Sequence, residues 1–78
     1  MDQDADILVD ARGHRCPVPT LKLRRALEQA PAGAVVRLTA DDPLARIDVP
    51  HFAGQVGATV LETSDLNGAA VFRVRKAL

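Results

Sequence analysis

Apolar positions recur along the chain with two different periods, and the changes between them mark out its elements. Ile7-Leu8-Val9 is a short apolar run of β type closed by Asp10, with Gly13 giving freedom to the loop beyond it. A helix is predicted from Pro17 or Pro19, since Leu23, Ala26, Leu27 and Ala30 share one helical face while Lys22, Arg24, Arg25, Glu28 and Gln29 are left to solvent. Pro31 and Gly33 end it. Residues 34–40 alternate, with Val36 and Leu38 on one face and Arg37 and Thr39 on the other, as in a half-buried strand.

Asp41-Asp42-Pro43 follows, in which Asp42 is suited to cap a second helix and Pro43 to occupy its first turn. The apolar positions of that helix are Leu44, Ile47 and Phe52, Pro50 predicts a kink or a restart, and Gly54 and Gly57 bracket its end. Residues 58–64 and 69–76 are both alternating and β-branched, and Asn67-Gly68 between them signals an antiparallel hairpin. The order β-α-β-α-β-β, with right-handed crossovers, predicts an α+β fold: a two-layer α/β sandwich of a four-stranded mixed sheet with two helices packed on it.

The length of 78 residues gives one domain, spanning residues 1–78. A hydrophobic fraction of 47%, mostly Ala, Val and Leu with two Phe and neither Trp nor Tyr, suits a compact aliphatic core. Ten basic and ten acidic residues cancel, so no chain-wide charge draws the protein onto nucleic acid or an anionic membrane. Residues 1–6 carry three aspartates and no apolar run, which predicts a flexible N-terminus rather than a targeting segment. A cytoplasmic location is expected, with no membrane contact.

One cysteine cannot form an internal disulfide, and no Cys or Cys/His pair at ligand spacing points to a metal or another cofactor. Cys16 lies where the first loop meets the first helix, flanked by Arg15 and Pro17 rather than by apolar neighbours, so it is expected to be exposed instead of packed in the core. Only a thiolate is nucleophilic, and a free cysteine titrates near about 8.5. Two features predict a lowered pKa: the positive end of the helix, and the guanidinium groups of Arg12 and Arg15. From Ala11 to Leu27 the basic residues Arg12, Arg15, Lys22, Arg24 and Arg25 are uninterrupted by any acid. His14 as a base for Cys16 is disfavoured, because side chains two residues apart in an extended loop diverge, and His51 reads as a surface or packing residue.

The segment Asp10-Ala11-Arg12-Gly13-His14-Arg15-Cys16-Pro17-Val18-Pro19 resembles the defining stretch of the TusA/SirA-type sulfur-carrier proteins, with its Cys-Pro-x-Pro core. Asp41-Asp42-Pro43 and Asp48-Val49-Pro50-His51-Phe52 resemble the family's second recurring segment, and the likeness spans residues 7 to 76. Val49 stands where isoleucine is common. The resemblance implies that Cys16 carries a persulfide; from the residues themselves, Gly13, Pro17 and Pro19 are expected to shape its surroundings, and Arg12 and Arg15 to stabilise the anion or dock partners. Asp41, Asp42, Pro43 and Asp48 belong to the second segment. It further implies a sulfurtransferase that takes sulfane sulfur from a donor such as a cysteine desulfurase or rhodanese-like protein and passes it to an acceptor protein. The branch stays open among transfer-RNA thiolation, sulfur oxidation, molybdenum-cofactor biosynthesis and selenium metabolism. With no second cysteine, a resolving thiol comes from the partner.

Two other function classes are distinguishable. A non-catalytic regulatory interaction module, in which the Cys-Pro segment only shapes a surface, tolerates Cys16→Ser. Direct nucleic-acid binding is disfavoured, because the basic stretch lacks interleaved aromatics for base stacking.

Overall fold

The computed structural model describes residues 6–78. The elements are β1 (Ile7–Asp10), α1 (Val18–Gln29), β2 (Val35–Ala40), α2 (Ala45–Gln55), β3 (Thr59–Leu66) and β4 (Ala69–Arg75), in the order expected from the sequence. The strands form one four-stranded sheet ordered β1-β2-β4-β3. β1 runs parallel to β2, whereas β4 is antiparallel to both of its neighbours, so the sheet is mixed.

β4 therefore lies between β2 and β3, and its composition fits a central strand: Ala69, Ala70, Val71, Phe72 and Val74 are all buried, with side chains on both faces. The helix-facing side joins Val36, Leu38 and Ala40 of β2 to Ala70, Phe72 and Val74 of β4. Against them pack Leu23 and Leu27 from α1 and Ala45, Val49 and Ala53 from α2, which makes two layers. The other face of the sheet carries buried Ala69 and Val71 of β4 beside a cluster of charged residues. There the Asp6 carboxylate accepts a hydrogen bond from Arg73 Nε at 2.9 Å and pairs with Arg37 Nε at 3.4 Å, and Arg73 Nη1 reaches Glu62 at 3.1 Å. Asp6, placed by the sequence in a flexible N-terminus, is thus tied to β2 and β4. The rest of that segment, residues 1–5, lies outside the described residues.

α1 begins at Val18, directly after Pro17, and buries Pro19, Leu23 and Leu27, the last two on the face expected from their spacing. α2 departs from expectation in two ways. It buries Ala45, Val49 and Ala53, one stripe at four-residue spacing, while Leu44 and Ile47 stand in solvent. With that stripe turned to the sheet, Leu44 and Ile47 fall on the solvent side of the helix, while Phe52 packs partly buried against the core. The helix also continues through Pro50 without a restart. Pro50 and Arg46 are both exposed, so the carbonyl that loses its N–H partner faces water instead of the core. The hairpin forms as read: Asn67 and Gly68 have φ of 51° and 86°, the pair of positive values that a tight two-residue connection requires.

Candidate functional site

Parallel strands end on the same side of a sheet, so the loop leaving β1 and the loop leaving β2 are neighbours although the sequence separates them. Ala11, fully buried, extends the pairing by donating its N–H to the Thr39 carbonyl at 2.8 Å. The chain then turns out of the sheet through Gly13, whose φ of 84° lies in the left-handed region that favours glycine. Both oxygens of the Asp41 carboxylate accept the Gly13 N–H, at 3.0 and 3.2 Å. Asp42 Oδ2 accepts the Cys16 N–H at 2.7 Å, and its Oδ1 accepts the Leu44 N–H at 3.2 Å. Asp42 is buried, so these contacts stand in for the water it has lost.

The role expected for Asp42 is corrected by this geometry. α2 starts at Ala45 with Leu44 in the capping position and no side-chain cap, and Pro43 sits in the turn before the helix rather than in its first turn. Asp42 closes a local turn over Leu44 with one oxygen and holds the cysteine loop with the other.

Cys16 is exposed, joined to Pro17 by a cis peptide bond, and lines a small cleft with Pro19, Thr20, Asp42, Ala45 and Asp48. The thiol and the Asp48 carboxylate thus face the same cleft. Asp48, as a hydrogen-bond acceptor that favours the protonated thiol, pushes the Cys16 pKa upward, with desolvation and the charges of Asp48 and Asp42 acting in the same direction. The expected lowering is therefore reversed. The helix start is a poor anion site, because Pro17 and Pro19 carry no N–H and the Val18 N–H turns back to the Arg15 carbonyl at 2.8 Å.

The guanidinium groups are also committed elsewhere. Arg12 forms a two-pronged pair with Asp10, Nε to Oδ1 and Nη2 to Oδ2 both at 2.9 Å, which holds the Asp10 carboxyl well below the usual range. Arg15 is largely exposed, with Nη1 at 4.0 Å from Asp42 Oδ1. Neither is among the charges acting on the thiol. His14 is exposed and His51 meets Gln55 at 3.3 Å on the outer face of α2, as surface residues.

Gly13, Cys16, Pro17, Pro19, Asp41, Asp42 and Asp48 are thus brought to one end of the sheet, with Pro43 in the adjoining turn, while Arg12 faces Asp10 and Arg15 leans over Asp42. That Asp48 shares a cleft with the thiol had no local signal in the residues themselves. The position follows only from α2 packing beside the start of α1.

The chain matches the sulfurtransferase TusA family profile over residues 7–76. It is 31% identical over 75 residues to the sulfur carrier protein TusA of Pseudomonas putida strain F1, covering 96% of this chain and 94% of that protein. The Pseudomonas aeruginosa LESB58 protein of the same name is 29% identical over 76 residues, covering 97% and 96% of the two chains. Among solved structures, a SirA-like protein from Desulfitobacterium hafniense superposes with a TM-score of 0.80 at 28% identity, covering 92% of this chain and 99% of that one. With the profile match running from β1 to the residue after β4, the chain belongs to the TusA sulfurtransferase family.

Proposed function

We propose that this protein is a sulfur carrier in which Cys16 holds sulfane sulfur as a persulfide and delivers it to a partner protein. The observation that supports the reading most strongly is the exposed thiol whose loop is fastened at two backbone N–H groups, Gly13 by Asp41 and Cys16 by Asp42. Such fastening presents a sulfur atom outward in a fixed position, which a transfer between two proteins requires. The Cys16 sulfur attacks the outer sulfur of a donor persulfide, the donor thiol leaves, and an acceptor thiol later removes the same sulfur from Cys16. A cysteine desulfurase or a rhodanese-like protein is the kind of donor that fits, in the cytoplasm. Exposed Arg15 and Arg25 beside the loop and on α1 would favour acidic partner surfaces. Intact-mass analysis after mixing with a persulfide donor tests the reading. Wild type gains one sulfur, about 32 Da, and Cys16→Ala gains none; equal gain by both, or none by wild type, contradicts it.

A further inference from the structure

We propose that Asp48 is the proton acceptor and donor for sulfur transfer at Cys16, a role that rests on the sulfur-carrier reading above. Two carboxylates share the small cleft with the thiol, and they are not equivalent. Asp42 is buried, with one oxygen on the Cys16 N–H and the other on the Leu44 N–H, so its contacts are with backbone. Asp48 is half-buried in the first turn of α2, forms no ion pair among the described residues, and has no backbone N–H bound among the side-chain contacts described, so its carboxylate is left to face the thiol across the cleft. It is the carboxylate placed to act on the reacting atom.

The surroundings make a freely ionised thiolate unfavourable. Asp42 and Asp48 are both negative, Arg12 is occupied by Asp10, Arg15 reaches no nearer than Asp42, and the prolines remove N–H donors from the start of α1. A site of this kind needs the proton removed as the new bond forms rather than beforehand. The Cys16 sulfur attacks the outer sulfur of the donor R–S–SH, and a new S–S bond forms. The bond between that sulfur and R–S breaks, with its electron pair leaving on R–S⁻. The thiol proton passes to Asp48 and on to R–S⁻, giving Cys16–S–SH and R–SH with no external oxidant or reductant. Delivery runs the same way in reverse: an acceptor thiol attacks the outer sulfur, gives up its proton to the site, and Asp48 returns a proton to the departing Cys16 sulfur. A thiolate that holds its proton tightly is a poor leaving group, so this return matters most in the delivery half.

Two readouts that a purely electrostatic role would move together separate the proposal from its alternative. Loading is measured by intact mass with glutathione persulfide, and thiolate content by the rate of iodoacetamide alkylation at pH 7, for wild type, Asp48→Asn and Asp48→Glu. Removing the negative charge raises the thiolate fraction, so Asp48→Asn alkylates faster than wild type. If Asp48 moves the proton, the same variant loads sulfur more slowly by about 10-fold or more, the scale of general acid–base assistance, and Asp48→Glu, which keeps a carboxylate, recovers part of the rate. Loading by Asp48→Asn that is unchanged, or that rises in step with alkylation, overturns the role of Asp48 and leaves the carrier reading intact. Failure of wild type to take up sulfur overturns the carrier reading and this proposal with it.

Discussion

Asp41 and Asp42 reach from the end of β2 to the backbone of the cysteine loop, and most of what the residues of this site do follows from those contacts. Replacing Asp42 by Ala leaves the N–H groups of Cys16 and Leu44 without their acceptor, and a buried unsatisfied donor costs about 1–3 kcal/mol. Denaturant melts should show a loss in that range for Asp42→Ala, together with slower loading; a loss confined to stability would make Asp42 scaffold alone. The thiol offers a second test. Since Asp48 favours its protonated form, the alkylation rate of Cys16 should rise with pH to a midpoint above the free-cysteine value of about 8.5, and a midpoint below it would contradict the acidic cleft. Cys16, its prolines and Gly13 were legible in the chain because they are contiguous. The sign of the local field was not, since the acid-free run from Ala11 to Leu27 is met in space by Asp10, Asp42 and Asp48 from outside it.

At the scale of elements, periodicity located every helix and strand, and for α2 it placed Phe52 on the core side but wrongly put Leu44 and Ile47 there. Leu44, Ile47 and Phe52 are the bulkiest apolar residues there, yet the fully packed stripe is Ala45, Val49 and Ala53. Hydrophobic size misleads here because the i, i+4, i+8 stripe of Ala45, Val49 and Ala53 fixes the face turned to the sheet, and Leu44 and Ile47 fall off it. Exposed Leu44→Ala and Ile47→Ala should therefore shift stability by no more than about 0.5 kcal/mol. Val49→Ala, which empties a fully buried site, should cost about 2 kcal/mol by the same melts. Equal losses at Ile47 and Val49 would restore the face expected from size. The hairpin was legible because Asn67-Gly68 leaves few alternatives for a two-residue turn.

For the whole molecule, the sequence order predicted the layers but not that β4 inserts between β2 and β3. The near-continuous apolar run from Ala69 to Phe72 carries that information, since a strand flanked by neighbours on both edges is the one in which both sets of side chains are shielded. Long-range ion pairs were equally hidden: Asp6 draws the start of β1 onto Arg73 and Arg37, two strands that the chain visits much later. The Arg73 hydrogen bond lowers the Asp6 pKa in the folded protein. Its contribution to stability is therefore complete above the unfolded carboxyl value of about 3.9 and is lost as pH falls through the lower folded value. Asp6→Asn should flatten this part of the acid dependence in melts between about pH 5 and 2, and an unchanged profile would remove Asp6 from the account. The claim that the assembled site serves carriage is tested most directly by a chase. The protein is loaded with sulfur, freed of donor, and mixed with an acceptor thiol. Attack at the outer sulfur predicts that the chain returns to its unmodified mass as the acceptor gains about 32 Da. Release of sulfide with a mixed disulfide left on Cys16 would place the attack at the inner sulfur and contradict it.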